Sequence, residues 1–511
     1  MKNPAEKNKS KLKIWKVILA LLFIILAIML VEVRRWTKVV CGDIAFDEIV
    51  YYFMVPLEGT DSSLLPGYIS RVLMDMPILI AFFAVLFVPD VLLWVHKQFS
   101  EKSINQEEEE STTESAEAGI SQDSVFHKIL RVINQIRKFI IRRMLPISIV
   151  VFLIALIVDI RVYGVDTWLK SRLQSSSLYE EYYVAMDEVT ITAPLEKKNL
   201  IFIMSESLEA SFYRTEDGGA VEYDLLPHLT ALAKENTCFS TGNNLTGSIQ
   251  VTGTGWSSAA MVSYMSGVPL IVPLNDISMS KYSSVLPGIS TIGEYLEEQG
   301  YYNALFYGTE KEFAATGTFF TQHGNYEIFD FNVILDEGYV DERKFWGCDD
   351  QVLFQYTKDR LVEISESGQP FNVFIKTVDL HNPDGYICDL CEDTFRNTVG
   401  GDAGRFMDII RCQDQQIYEF VEWCKVQDFY ENTTIVICGD HPTMDFDYCV
   451  NVDDDYSRRV YTCIINSAVD PEDPDMVRTY STLDLFPTTL ASLGGGIEGD
   501  RLGLGTNLFS S

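Results

Sequence analysis

Long apolar runs mark the first third of this 511-residue chain, and shorter ones recur through the rest. Three of the long runs, at about 14–33, 73–95 and 144–163, approach the roughly 20 apolar residues that a membrane-spanning helix needs. Lysines precede the first run and no small-residue cleavage site follows it, which favours an anchor over a removed signal peptide. Residues 1–165 are therefore predicted to form a multi-pass membrane anchor of about three helices.

The polar residues around these runs predict the orientation of the chain. Five lysines precede the first run and favour a cytoplasmic N-terminus: Lys2, Lys7, Lys9, Lys11 and Lys13. Three spans would then place everything after about residue 165 outside the cytoplasm. The glutamate-rich segment 101–123 is predicted to be a solvated cytoplasmic linker, and 166–196 a second linker leading out of the anchor.

From residue 197 onward, short apolar runs alternate with amphipathic helical periodicities. Runs typical of buried strands lie at 199–204, 303–308, 371–380, 432–440 and 459–466. Helical periodicities lie between them, for example at 225–236, 289–300 and 405–425. This alternation predicts an α/β domain, 197–511, whose mainly parallel central sheet is flanked by helices.

Polar side chains directly follow three of the predicted strands. Glu206 follows the first, His381 the third, and Asp440 with His441 the fourth. Ligands of such sheets bind beyond the carboxyl ends of the strands, so we expect these four residues to converge there. Carboxylates and imidazoles are ligands for a divalent ion such as Mn2+, Mg2+ or Zn2+.

The stretch VTGTGWSSAAMVSYMSGVPL, residues 251–270, places hydroxyl groups just before a predicted helix. A helix N-terminus offers backbone N–H groups and the positive end of the helix dipole to phosphate oxygens. A neighbouring divalent ion would activate a hydroxyl there as a nucleophile. Ser257 is the best-placed candidate and Thr254 the fallback. The plain alternative is that Ser257 only caps the helix.

Composition narrows the range of partners. The formal net charge of −33 argues against nucleic-acid binding, and an anionic substrate would need a local cation. Ten cysteines are compatible with an extracytoplasmic location. Cys388 and Cys391 form a CxxC pair, for which a disulfide is the simplest interpretation.

Five motifs in order carry a family resemblance: NLIFIMSESLE, GTGWSSAAMVSYMSGVPL, TVDLHNPDGY, VICGDHPTM and LDLFPTTLASLG. Over residues 197–511 the chain resembles the phosphoglycerol transferase and lipoteichoic acid synthase branch of the alkaline phosphatase/sulfatase superfamily. The transferases that modify periplasmic glucans are most alike. The resemblance implies a bacterial cell-membrane enzyme with a metal ion, Mn2+ in first place. It would transfer phosphoglycerol from phosphatidylglycerol to a glycan, a glycolipid or a polyglycerolphosphate polymer.

The resemblance also implies a metal centre. Glu206, Asp440 and His441 would bind the ion, together with Ser257. Ser257 takes the position of the family's threonine nucleophile, so a serine replaces the usual residue. The intermediate would then be a covalent phospho-serine.

Further residues match family positions on the substrate side. His381 resembles a histidine that stabilises phosphoryl oxygens or protonates a leaving group. A basic family residue falls on Thr316 here, which leaves Lys311 as its substitute. The segment FWGCDDQVL, with Trp346 and Asp349, resembles a segment that lines the site.

Two other functions stay open on the sequence alone. A phosphoethanolamine transferase would differ mainly in its donor lipid. From a different class, a catalytically inactive membrane-anchored protein would bind ligands without turnover. A sulfatase is set aside, because WSSAAMV lacks the proline and arginine that formylglycine formation requires.

Overall fold

The computed structural model describes the chain except residues 1–3, 43, 56–65, 75–124 (apart from 77, 80 and 84), 175, 195, 240–243, 272–283, 391–401, 474 and 475. The chain separates into two compact units. The first comprises Met1–Trp36 and Ser62–Asp166, and the second Thr37–Asp61 and Thr167–Ser511. The second unit therefore includes a segment, Thr37–Asp61, that the sequence analysis assigned to the anchor.

The described helices and strands are named in chain order. The helices are α1 (Pro4–Val40), α2 (Phe46–Tyr52), α3 (Val125–Val162), α4 (Val165–Leu173), α5 (Leu178–Tyr182), α6 (Pro227–Glu235), α7 (Ser257–Ser266), α8 (Ile292–Glu298), α9 (Thr316–Gln322), α10 (Phe331–Asp336), α11 (Asp350–Glu366), α12 (Asp402–Lys425), α13 (Phe446–Cys449) and α14 (Leu485–Ser492). The strands are β1 (Ile191–Thr192), β2 (Asn199–Ser205), β3 (Tyr302–Tyr307), β4 (Glu327–Phe329), β5 (Phe371–Lys376), β6 (Thr433–Gly439), β7 (Thr462–Ile465), β8 (Gly496–Ile497), β9 (Arg501–Leu502) and β10 (Gly505–Thr506).

Two helices of the described chain are long and apolar enough to cross a membrane, judged by length and composition. They are Trp15–Val40 within α1 and Arg142–Val162 within α3, at the positions of the first and third predicted spans. Most of the predicted span at 73–95, and all of the predicted linker 101–123, lie outside the described residues. In the first unit, the rings of Phe23 and Phe152 lie 5.4 Å apart, so α1 and α3 pack against each other.

The second unit is built on a six-stranded sheet with the order β4-β3-β5-β2-β6-β7. Every neighbouring pair is parallel except β6 and β7. Strands β2, β5 and β6 are buried along their whole length, which explains why each reads as a nearly continuous apolar run. The predicted α/β class with a mainly parallel sheet is confirmed.

Strand β7 differs from the other predicted strands in running antiparallel to its neighbour. A parallel connection needs a crossover of a dozen or more residues, usually an α-helix. Between β6 and β7 the chain forms only the four-residue helix α13. The connection is long enough for a crossover, but it forms no long helix that would carry the chain across the sheet, and β7 returns beside β6 in the opposite direction.

Helices cover both faces of this sheet. Ile201 and Ile203 of β2 belong to a large apolar core shared with α6, α11 and α12. The alternate residue Phe202 points to the other face, where its ring lies 5.5 Å from that of Tyr264 in α7. The face of β2 that bears Phe202 is therefore the face covered by α7, the helix that begins at Ser257.

Gly439, the last residue of β6, lies against the backbone that follows β2. A Cβ atom at Gly439 would lie 1.7 Å from the carbonyl oxygen of Leu208, which requires a backbone shift. We expect Gly439→Ala to lower the melting temperature of the full-length protein by more than about 5 °C. In Gly496→Ala on β8, the new Cβ would lie 3.5 Å from the Cβ of Thr192, an ordinary contact, and we expect no shift. Equal melting temperatures of both variants and the parent would contradict the close approach at Gly439.

Candidate active site

The register of the sheet brings two carboxylates to the same place. Ser205 of β2 pairs with Gly439 of β6, so the next residues, Glu206 and Asp440, leave the sheet side by side. Both side chains are fully buried. The predicted convergence at the carboxyl ends of the strands is therefore present for these two residues.

Hydrogen bonds fix the two carboxylates and the histidine beside them. Asp440 Oδ1 accepts the backbone N–H groups of Ser207 and His441, at 2.7 and 2.8 Å. Glu206 Oε1 accepts the hydroxyl of Ser207 at 2.9 Å. His441 Nε2 lies 3.4 Å from Glu206 Oε1 and 3.6 Å from Asp440 Oδ2. Among the described residues, Glu206, Asp440 and His441 are the group whose ligand atoms all lie within 4.8 Å of one another.

The charges in this group stabilise one another. Burial alone would raise the pKa of Asp440, but the charges of His441 and Lys376 outweigh it and hold this pKa below its ordinary value. Burial alone would lower the pKa of His441, but Asp440 and Glu206 outweigh it and raise this pKa. The two buried carboxylates therefore favour a positive charge beside them.

The structure places Ser257 at this centre. Ser257 is the first residue of α7, and its hydroxyl donates to Asp440 Oδ2 at 2.7 Å and lies 3.4 Å from Glu206 Oε2. The capping alternative is wrong, because the N-cap residue is Trp256 and no side chain caps this helix.

Thr254, the fallback nucleophile, lies in a turn that occupies its hydroxyl. Thr254 Oγ1 donates to the carbonyl of Val251 at 2.9 Å and accepts the N–H of the same residue at 3.0 Å. The side chain is fully buried. Of the two hydroxyls, only that of Ser257 makes a hydrogen bond to a carboxylate of the centre in the described structure.

Lys376, the last residue of β5, was not predicted from the sequence as a residue of the centre. Its ammonium donates to Glu206 Oε2 at 2.6 Å and to Asp440 Oδ2 at 2.8 Å, and the side chain is buried. Burial opposes the charged form, but the two carboxylates outweigh it and raise the pKa of Lys376 above its ordinary value. The sequence could have identified this lysine, because it lies within an apolar run and a buried lysine almost always has a partner for its charge.

His381 and Trp346 lie together beside the centre. Their ring centroids are 4.1 Å apart, and His381 Nδ1 lies 2.7 Å from the carbonyl oxygen of Asn382. Desolvation lowers the pKa of His381, although the charge of Glu206 acts in the opposite direction. A neutral imidazole that donates through Nδ1 carries its lone pair on Nε2, so His381 is able to accept a proton there.

The aspartates of the segment FWGCDDQVL support the loops around the site. Asp349 caps α11 by accepting the N–H of Val352 at 3.1 Å. Asp350 accepts the N–H groups of Val378 and Asp379, at 2.7 and 3.0 Å, and so ties down the loop that leads from β5 to His381. Burial raises the pKa of Asp350 to about 7.

Lys311 lies at the surface in the described structure. It is exposed and lines a surface cavity of about 560 Å³ together with Gly317, Thr318 and Gln322. Its backbone N–H donates to Asp330 Oδ2 at 2.9 Å. Thr316, at the position of the basic family residue, is buried. Substrate binding by Lys311 stays a prediction.

The residues of the centre fit a divalent metal ion. Two carboxylates and an imidazole are a donor set that Mn2+, Mg2+ and Zn2+ accept. His441 Nδ1 lies 3.0 Å from the carbonyl oxygen of Pro442, which directs Nε2 toward the carboxylates. A metal ion and a proton would compete for Nε2, so the raised pKa of His441 makes ion binding depend on pH.

Helix α2, which is far from the centre in sequence, packs beside it in the structure. The ring of Tyr51 in α2 lies 5.9 Å from that of Trp256, and its hydroxyl donates to the carbonyl of Ala314 at 2.6 Å. Glu48, on the same helix face, is buried. Burial raises its pKa to about 8, against the opposing effect of His441. Helix α2 therefore packs beside Ser257 and adds a carboxyl group near the centre.

A cavity of about 450 Å³ opens beside the residues that precede Ser257. Gly255 and Gln250 line it from the α7 side, and Pro442 from the β6 side. Lys38 and Arg458 contribute cationic side chains to its wall. The cavity lies between the residues that precede Ser257 and those that follow His441.

The CxxC interpretation needs a correction. Cys388 is not part of a disulfide in the structure, and Cys391, its predicted partner, lies outside the described residues. Cys412 is disulfide-bonded, and its Sγ lies 3.8 Å from Sγ of Cys388. Spacing in sequence suggested the neighbouring cysteine, whereas the fold brings α12 against Cys388.

A known protein family matches part of this chain. Residues 198–444 match the family model described as Sulfatase. This part of the chain is a sulfatase-like domain, and the resemblance to the alkaline phosphatase/sulfatase superfamily is confirmed.

Similar curated proteins share one name. Phosphoglycerol transferase I of Xanthomonas euvesicatoria pv. vesicatoria is 32% identical over 320 residues, which cover 62% of this chain and 43% of that protein. Phosphoglycerol transferase I of Citrobacter koseri is 29% identical over 327 residues, covering 63% and 40%. The chain therefore spans less than half the length of these relatives.

Solved structures with a similar fold include two bacterial proteins. The lipoteichoic acid synthase LtaP from Listeria monocytogenes has a TM-score of 0.48 and 18% identity, over 65% of this chain and 81% of that one. The C-terminal periplasmic domain of EcEptC from Escherichia coli has a TM-score of 0.45 and 13% identity, over 64% and 91%.

The packing of α2 beside Trp256 predicts unequal effects for two aromatic residues of one segment. Tyr51 is buried, whereas Phe53 is 87% exposed. We expect Tyr51→Ala to lower the melting temperature of the full-length protein by about 5 °C or more, through lost packing and a lost hydrogen bond. Phe53→Ala is the matched control and should change it by less than about 1 °C. Similar shifts for the two variants would show that α2 does not pack as described.

Proposed function

We propose that this protein is a membrane-anchored, metal-dependent phosphotransferase. It moves a phosphoglycerol group from phosphatidylglycerol to a hydroxyl of a cell-envelope glycan, a glycolipid or a polyglycerolphosphate polymer. One observation carries the proposal: the Ser257 hydroxyl lies 2.7 Å from Asp440 within the Glu206, Asp440 and His441 group. The names of the curated relatives support phosphoglycerol as the transferred group.

The first half of the proposed reaction forms a covalent intermediate. Ser257 Oγ attacks the phosphorus atom, and the bond from phosphorus to the diacylglycerol oxygen breaks with its electron pair. The leaving oxygen gains one proton as Ser257 loses one. A bound divalent ion, Mn2+ in first place, would lower the pKa of the serine hydroxyl and stabilise charge on the phosphoryl oxygens. Asp440 orients the hydroxyl through the hydrogen bond already present.

The second half returns the serine to its starting state. A hydroxyl of the acceptor attacks the same phosphorus atom, and the bond to Ser257 Oγ breaks. We assign the proton transfers to His381, because its pKa is lowered and its Nδ1 is directed to a backbone carbonyl. The acceptor hydroxyl would approach through the cavity lined by Gly255 and Pro442.

The proposed location follows from the two apolar helices and the charge pattern. We place the second unit outside the cytoplasm of a bacterial cell, anchored in the cell membrane by several spans. Phosphatidylglycerol head groups of the outer leaflet would then be the donor. The net charge of −33 gives the whole protein no general attraction for this anionic lipid, so the cations of the site must provide it.

The test uses full-length protein in detergent micelles with acyl-labelled phosphatidylglycerol and Mn2+. We expect diacylglycerol release that EDTA abolishes and Mn2+ restores. Ser257→Ala should lower the rate by about a thousandfold or more, because no other nucleophile replaces the serine. Ser258→Ala, which changes the adjacent buried serine of α7, should retain most of the activity. Full activity in EDTA, or in Ser257→Ala, would contradict the proposed mechanism.

A parallel series separates the rival functions. Phosphatidylethanolamine replaces phosphatidylglycerol in otherwise identical micelles. Release from phosphatidylethanolamine alone would identify a phosphoethanolamine transferase. Mn2+ binding without release from either lipid would identify a catalytically inactive binding protein.

A further inference from the structure

Lys376 occupies a position that a metal ion would need. Its ammonium contacts Glu206 Oε2 at 2.6 Å and Asp440 Oδ2 at 2.8 Å. Asp440 Oδ2 also lies 3.6 Å from His441 Nε2 and accepts the hydroxyl of Ser257. The ammonium therefore uses carboxylate oxygens that belong to the candidate metal group.

The sheet directs Lys376 to this position. Lys376 pairs with Met204 of β2, which in turn pairs with Cys438 of β6. Paired residues of neighbouring strands point to the same face, and residues two apart on one strand share a face. Lys376 therefore starts about two residues below Glu206 and Asp440, and its long side chain extends up to both carboxylates. A shorter side chain at this position would not reach them.

The ammonium also balances charge in the ion-free centre. Both carboxylates are buried, and buried carboxylates are stable only with a cation or several hydrogen bonds. Within the described residues, the ammonium of Lys376 and the imidazole of His441 are the cationic groups in ion-pair contact with both of them.

We propose that Lys376 is a resident cation of the centre, which holds Glu206 and Asp440 in place without metal and which a divalent ion must displace from their shared oxygens. Lys376 therefore has two opposite effects. It stabilises the metal-free protein, and it weakens metal binding, because the ion must replace existing ion pairs. The proposal concerns the carboxylate centre and does not depend on which phosphodiester the protein accepts.

The test measures Mn2+ binding and melting temperature for full-length protein in detergent, with no lipid substrate. In Lys376→Met we expect the metal-free melting temperature to fall, the dissociation constant for Mn2+ to decrease at least tenfold, and the stabilisation by saturating Mn2+ to exceed that of the parent. Titration calorimetry and the electron paramagnetic resonance signal of free Mn2+ give the dissociation constant. Lys376→Gln is a second variant, neutral but polar. Its melting temperatures and its Mn2+ dissociation constant should change in the same directions as those of Lys376→Met.

The matched control is Lys198→Met. Lys198 directly precedes the opposite end of β2 and donates to the carbonyl of Asn466 at 2.9 Å. This variant also removes one lysine charge, but we expect its Mn2+ dissociation constant to equal that of the parent. A Lys376 variant that is unfolded without metal and folds with Mn2+ would support the proposal. Unchanged or weaker Mn2+ binding in both Lys376 variants would overturn it, and so would failure of both to fold at any Mn2+ concentration. None of these results depends on catalytic turnover.

Discussion

Two carboxylates buried side by side are the constraint around which this site is built. Glu206 and Asp440 extend two neighbouring parallel strands, so the sheet itself brings their charges together. Leaving one such charge without its partner costs about 3–5 kcal/mol, which a domain cannot afford repeatedly. The ammonium of Lys376, two backbone N–H groups and the hydroxyl of Ser257 supply the compensation. The groups that stabilise the charges thus include the hydroxyl of Ser257, which we propose as the nucleophile.

The loops around the centre are also held by a buried carboxylate that has hydrogen-bond partners. Asp350 is buried at the start of α11 and accepts two backbone N–H groups of the loop after β5. That loop carries His381, so the position of the histidine depends on a carboxylate in a different element. Helix α2 packs against Trp256, the residue before Ser257. The site is therefore held by contacts from at least three separate parts of the second unit.

The residues at the strand ends could be predicted because a strand that is buried on both faces is a short continuous apolar run in the sequence. Runs such as 199–204 and 432–440 identified β2 and β6 almost to the residue, since both are buried on two faces. Strand β4 was missed because three residues, only one of them buried, give too short a pattern. The run at 371–380 predicted a strand four residues too long and so concealed that Lys376 ends it. The antiparallel direction of β7 was not visible either, because one buried strand resembles another in sequence.

The sequence by itself determined the α/β class, the apolar helices and the acids and histidines that follow the strands, because periodicity and turn position depend on near neighbours. Only the tertiary structure shows that the hydroxyl of Ser257, and not that of Thr254, meets Asp440, more than 180 residues away in the sequence. The same holds for Lys376 between the carboxylates, for α2 beside Trp256 and for Cys388 beside Cys412. Each of these is a contact between distant segments, and strand register and helix packing fix such contacts while sequence spacing does not.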